Sequence, residues 1–214
     1  MFEDAPDRPS QFDQVARTWD DNPARVELAR VVGAAMAESL GLDGTRTVLD
    51  YGAGTGLVSL WLAPRAARVV AADTSEAMLE VLREKARAAG LDTLVPLHWN
   101  FEQPWPRELP RPEALAASMV LHHVRDVPSA VQAFHALLPE GGRVAVADLA
   151  VEDGSFHGEG MHAFHKGFEP EALASLFAAA GFGRVRTREV HRLVKPGPDG
   201  QPRTYPVFLL SARR

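Results

Sequence analysis

Two groups of residues in this sequence could do chemistry. The first lies in VLDYGAGTGLVSL, Val48 to Leu60, where Asp50 precedes glycines at positions 52, 54 and 56. The second is a set of histidines: His122 and His123 in VLHHV, and His157, His162 and His165 in GSFHGEGMHAFHKGF. Glycines at a strand end let the backbone adopt positive φ and let a ligand approach without meeting a Cβ. A phosphate cradle is one use of such a loop. The dinucleotide pattern GxGxxG, however, needs its last glycine where Leu57 stands, and no GK[ST] follows for a triphosphate loop. An acid two residues ahead of the first glycine repels pyrophosphate and attracts a cation. The expected ligand is therefore cationic, such as a nucleoside carrying an amino acid.

The histidines are candidate general bases, because imidazole changes charge near neutral pH. There is no cysteine, which removes thiolate nucleophiles, disulfides and zinc ribbons together. A formal charge of -5 gives no general attraction for a phosphate backbone, so nucleic acid is not an expected partner. The stretch MFEDAPDRPSQFDQ is acidic where an export signal needs positive charge, and no apolar run reaches membrane-spanning length. A cytoplasmic location without membrane insertion is the expectation.

The elements that must position these groups follow from periodicity and punctuation. Phe12, Ala16 and Trp19 repeat at helical spacing, and ARVELARVVGAAMAESLGL is a second helix with Pro23 near its start and Gly41 at its end. RTVLDYG reads as a strand, TGLVSLWLA as a helix stopped by Pro64, ARVVAAD as a strand, and SEAMLEVLREKARAAG as a helix capped by Ser75 and ended by Gly90. LVPLHW and ALAASMVLHHV are further strands, VPSAVQAFHALLP a helix, and GGRVAVADL a fifth strand. Such alternation predicts a parallel sheet covered on both faces. The tail changes character: PEALASLFAAAGF is a helix, and RVRTREVHRLV, PGPDGQP and TYPVFLLSA form a β-hairpin. Arg184, Arg186 and Arg188 alternate with Val185, Thr187 and Glu189, which suits an edge strand; Pro206 is expected near the start of its strand or at a bulge.

VLDYGAGTG closely resembles the first motif of the class I S-adenosylmethionine-dependent methyltransferases, in particular the small-molecule, UbiE-like or type 11 domains, and the resemblance runs over nearly the whole chain. It implies a three-layer α/β/α Rossmann-like sheet of seven strands, order 3-2-1-4-5-7-6, with strand 7 antiparallel, preceded by N-terminal helices. It divides a single domain into a helical cap (1–44), a cofactor core (45–150), a lid-like insertion (151–168) and a C-terminal helix with hairpin (169–214). The acid matching Asp50 lies near the cofactor's ammonium group, and Asp73 matches the acid that takes both ribose hydroxyls. Asn100 and Phe101 match the pair at the adenine edge, with asparagine replacing the commoner aspartate and losing charge assistance. The implied cofactor contacts are Asp50, Tyr51, Gly52, Ala53, Gly54, Gly56, Asp73, Thr74, Met78, Asn100, Phe101 and Met119.

On the acceptor side, ligands of open α/β sheets bind beyond the carboxyl ends of the strands. His162 and His165, spaced to share a helical face, are the candidate catalytic bases; Trp19, His122, His123 and His157 are candidate substrate contacts. No metal is expected, since carboxylates near the strand ends reduce to Asp148, Glu152 and Asp153. The expected activity is methyl transfer from S-adenosylmethionine to a small-molecule acceptor, by a monomer or homodimer. Two alternatives remain: a protein that binds S-adenosylmethionine or S-adenosylhomocysteine without transfer, and a nicotinamide-dependent oxidoreductase.

Overall fold

The computed structural model describes residues 8–157, 161–197 and 199–214. Helices α1 (Arg8–Val15) and α2 (Pro23–Leu40) precede β1 (Thr47–Tyr51), with a 3-10 turn at Ala16–Asp21 between them. Then come α3 (Leu57–Leu62), β2 (Arg68–Asp73), α4 (Glu76–Ala88), β3 (Leu94–His98), β4 (Ala114–Ser118), α5 (Val127–Leu137), β5 (Arg143–Leu149), α6 (Pro170–Ala179), β6 (Gly183–Pro196) and β7 (Pro202–Arg213). The sheet order is β3-β2-β1-β4-β5-β7-β6. Strands β1 to β5 are mutually parallel, and β7 runs antiparallel between β5 and β6. Among the described residues no helix is long and apolar enough to cross a membrane.

Alternation along the strands builds the three layers. Val48, Val69, Ala71, Ala116 and Ala147 turn to one face, against Val32, Met36 and Leu40 of α2 and Leu82 of α4. Leu49, Tyr51, Leu115, Ala117 and Val146 turn to the other, against Phe134 of α5 and Phe177 of α6. The small residues of ALAAS let helices approach the sheet centre, and Ala114 to Ala117 are wholly buried. Local chemistry sets the helix ends. Asn22 accepts from the Ala24 N–H at 3.0 Å ahead of Pro23, and Gly41 closes α2 at φ 60°. Ser75 accepts from the Met78 N–H at 3.2 Å and Asp126 from the Ser129 N–H at 3.0 Å, capping α4 and α5.

Two local expectations change. The strand read through ALAASMVLHHV stops at Ser118, because Met119 takes φ 54° and the chain then makes a 3-10 turn over Leu121–His123. Pro206 is the fifth residue of β7, not its start. It pairs with Arg192, close to the register shift between Glu189 and His191, and lies beyond the residues of β7 that pair with β5. A missing N–H is tolerated there, although the Pro206 carbonyl still accepts from the Ala150 N–H at 2.9 Å. Of the turn PGPDGQP, Pro198 lies outside the described residues, as do positions 158–160 of the expected lid.

Candidate active site

A cavity of about 800 Å³ opens over the carboxyl ends of the parallel strands, and both chemical groups meet in it. At its cofactor end the loop after β1 takes positive φ at three glycines: 71° at Gly52, 55° at Gly54 and 83° at Gly56. A Cβ on Gly52 would stand 2.3 Å from Val120 Cγ2, so the bare backbone there is a packing requirement. On Gly54 the nearest atom would be Met78 Sδ at 4.0 Å, so that Cβ would instead stand in the cradle. Gly56 does not line the cavity; a Cβ there would lie 2.7 Å from Leu82 Cγ. The glycine that lets the helix pack close thus stands one residue before Leu57, and the expected cofactor contact at Gly56 lies against Leu82 and outside the cavity lining. All the other expected cofactor residues line the cavity.

Asp50 is 1% exposed and accepts from the Ser59 hydroxyl at 2.5 Å. Burial pushes its carboxyl up to about 7, against the opposing Ser59 bond and with help from the charge of Asp73. Asp73 accepts from the Gly54 N–H at 2.7 Å and the Ser75 N–H at 2.9 Å. Burial raises its carboxyl while those N–H groups oppose the rise, and each oxygen keeps a further lone pair. Asn100 Oδ1 accepts from the Glu102 N–H at 2.9 Å, so its carbonyl serves the loop as well as facing the cavity.

At the other end the histidines divide into two sets. His122, His123 and His157 line the cavity with Trp19. His122 is 1% exposed, and its Nδ1 is 2.5 Å from Oδ1 of Asp148, itself wholly buried. His123 Nδ1 is 3.0 Å from the His162 carbonyl. His157 Nε2 is buried without a hydrogen-bond partner. Burial, with His122 and Lys195 adding to it, pushes the His157 imidazole down to about 4.

His162 and His165 fall elsewhere. Among its described residues the segment is not helical, so His162 and His165 share no helical face, and neither residue lines the cavity. The His165 ring bonds the Val124 carbonyl at 3.0 Å, and the backbone N–H of residues 164 and 165 donates to the His122 carbonyl at 2.9 and 3.1 Å. These residues dock the loop onto the turn that carries His122.

Sequence reasoning missed several members. Asp148 is the second-last residue of β5, as Asp50 is of β1, and that shared position was the available signal. Lys195, from the edge strand, donates to the Phe156 carbonyl at 2.5 Å and lies 4.2 Å from the Phe156 ring. Asp20 accepts from the Thr55 hydroxyl at 2.6 Å and from Lys85 at 2.5 Å, while Asp13 accepts from the Ser75 hydroxyl. The N-terminal segment is thereby tied to both cofactor loops, with Phe12 and Trp19 facing the cavity beneath it.

A family model described as a methyltransferase domain matches residues 13–187. The chain belongs to that family. Within the methyltransferase-domain family, a demethylmenaquinone methyltransferase of Clavibacter sepedonicus is 28% identical over 238 residues, covering 91% of this chain and 93% of that one. A ubiquinone biosynthesis O-methyltransferase of Alkalilimnicola ehrlichii is 32% identical over 155 residues, covering 65% of this chain and 58% of its own length. The chain spans little more than half the length of some curated relatives it matches, 54% and 58% in two cases. A SAM-dependent methyltransferase of Aquifex aeolicus superposes with a TM-score of 0.65 at 19% identity, over 95% of this chain and 97% of that one. The fold is that of a class I S-adenosylmethionine-dependent methyltransferase, and the cradle at Gly54 with the two acids fits such a cofactor.

Proposed function

We propose that this protein transfers a methyl group from S-adenosylmethionine to a hydroxyl-bearing small molecule with an apolar, aromatic body, in the manner of the UbiE-like, type 11 enzymes. The observation that carries this reading is one cavity shared by the Asp50–glycine–Asp73 loops and by an imidazole backed by a buried carboxylate. Relatives whose names refer to ubiquinone biosynthesis O-methylation and to demethylmenaquinone methylation support the acceptor class.

When bound, the cofactor supplies a sulfonium methyl: the acceptor O–CH₃ bond forms as the S–CH₃ bond breaks, S-adenosylhomocysteine leaves, and the acceptor gives up its proton. Asp73 would take the ribose hydroxyls and Asp50 would face the ammonium group, while Tyr51, Ala53, Thr74, Met78, Phe101 and Met119 shape the surrounding wall. Asn100 would meet the adenine edge. Asp148 can only accept while ionised, so it keeps the proton on His122 Nδ1 and leaves the lone pair on Nε2. An imidazole so fixed is suited to receive the acceptor's proton, a contribution of about 10² to 10⁴ in rate. Orientation within the cavity can lower the barrier by roughly 7 to 11 kcal/mol. Phe12, Trp19, Phe156 and Leu193 offer the apolar wall such an acceptor needs.

The test is calorimetric titration with S-adenosylmethionine and with NADH, followed by assay of S-adenosylhomocysteine release with phenols, quinols and amines. Cofactor binding with release on hydroxylated aromatics is expected. Binding of NADH alone would overturn the reading, and cofactor binding with no turnover on any acceptor would favour a sensor.

A further inference from the structure

We propose that His122, His123 and His157 form a binding site for one divalent transition-metal ion of the zinc type at the acceptor end of the cavity. Each offers one ring nitrogen, and the three atoms all lie within 4.8 Å of one another. Nitrogens on a single zinc ion, at about 2.0 to 2.1 Å each, stand roughly 3.3 Å apart, so closure needs a shift of about 1.5 Å at most. The ring centroids are 4.1, 5.1 and 5.0 Å apart. With centroids about 3.2 Å from a shared ion, those separations subtend roughly 80° to 105°, so His157 stands near the tetrahedral angle to both partners while the His122–His123 pair must open toward it, leaving a fourth position.

Hydrogen bonding sets the tautomers for this task. A carboxylate and a backbone carbonyl are acceptors only, so His122 Nδ1 donates to Asp148 and His123 Nδ1 donates to the His162 carbonyl. Both Nε2 atoms then carry a lone pair, and the Asp148–His122 pair is the outer-sphere arrangement that orients metal-ligating imidazoles. His157 Nε2 is buried and unpartnered, the kind of polar atom that asks for a ligand. His157 is the most distant ring of the three. It lies on the loop after β5, shaped by Glu152 accepting from the Gly154 and Phe156 N–H groups at 2.7 and 3.0 Å. Imidazole donors without thiolate or carboxylate favour zinc, copper, iron or nickel over magnesium or calcium. The neighbouring cation that opposes an ion here is Lys195, whose ammonium is anchored on the Phe156 carbonyl.

The open coordination position would take the acceptor's oxygen and lower the pKa of its hydroxyl, so that with the ion bound the proton passes to water and His122, its Nε2 on the metal, serves as a ligand in place of a base. That use rests on the methyl-transfer reading; the site itself does not.

The experiment is calorimetric titration of the full chain, stripped with a chelator, with Zn²⁺, and visible spectroscopy with Co²⁺. One ion per chain is expected. His157→Gln should weaken binding by at least about 100-fold, since it removes a ligand and not merely its outer partner, while His191→Gln on the edge strand should bind as the parent does. Circular dichroism and S-adenosylmethionine titration on the same samples report folding. Absence of saturable one-to-one uptake, or a His157→Gln titration that overlays the parent's, overturns the site. Cofactor binding without metal uptake removes the metal site and leaves the methyl-transfer reading intact; metal uptake without any response to cofactor supports the site and removes that reading.

Discussion

The two ends of the cavity are built differently. The cofactor end is made mainly at the tips of β1, β2 and β3, where Asp50, Asp73 and Asn100 lie within two residues of a regular strand. The acceptor end is assembled from a 3-10 turn after β4, a loop after β5, the edge strand β6 and the N-terminal segment. A strand tip fixes direction through the sheet's own hydrogen bonds. Separate segments fix it only through each other, as Lys195 does with Phe156, and the residues around 164 with His122. Damage at the first end should therefore stay local and register as lost affinity, whereas damage at the second should register as lost turnover.

The largest effect expected is at Asp73. Asp73→Ala removes a carboxylate able to take two hydroxyls, at roughly 1.5 to 3 kcal/mol each, so calorimetry should show cofactor affinity falling by about 10² or more. A change under about tenfold would break the comparison. Next comes Asp148→Asn, which unsettles the His122 tautomer. Turnover should fall by about 10² or more with cofactor affinity unchanged, and equal losses in both would merge the two ends into one.

A smaller effect belongs to Asp50. Its folded carboxyl titrates near 7 against an ordinary 3.8, so folding favours the neutral form. This group's contribution to stability is complete below about pH 4 and is lost as pH rises through about 7. A cationic ligand favours the ionised form instead. Cofactor affinity should then be about tenfold weaker at pH 6 than at pH 8, and Asp50→Asn should flatten that dependence. An unchanged slope in the variant would assign the titration to another group. The smallest effect is at His162→Ala and His165→Ala, where steady-state turnover should change by less than about tenfold, against the 10² a lost general base would cost. A larger loss would bring these rings back into the chemistry and sharpen the role of the loop.

The same contrast explains what could be read from the residues. Asp50, the glycines, Asp73 and Asn100 lie at fixed short distances from apolar runs, so strand periodicity puts them at strand ends, while their roles and the sheet order are what the resemblance to the methyltransferases implies. The histidine sets could not be sorted that way. His162 and His165 look helical by spacing, yet glycines at 158, 160 and 167 flank a segment with no helix among its described residues. His157 joins His122 and His123 through tertiary packing alone. Asp148 reads as one more carboxylate until β4 and β5 pair and bring His122 beside it. Asn100 was legible as a residue facing the cavity, but the turn it makes with Glu102 depends on backbone geometry that its neighbours do not spell out.

Asp13 and Asp20 grip Ser75 and Thr55, one in each loop that would greet the nucleoside. A roof fastened to the very loops that hold one guest shifts with them, and settles further when that guest settles them. The nucleoside should therefore arrive first and depart last, giving turnover a compulsory order in which the acceptor only ever meets a house already occupied.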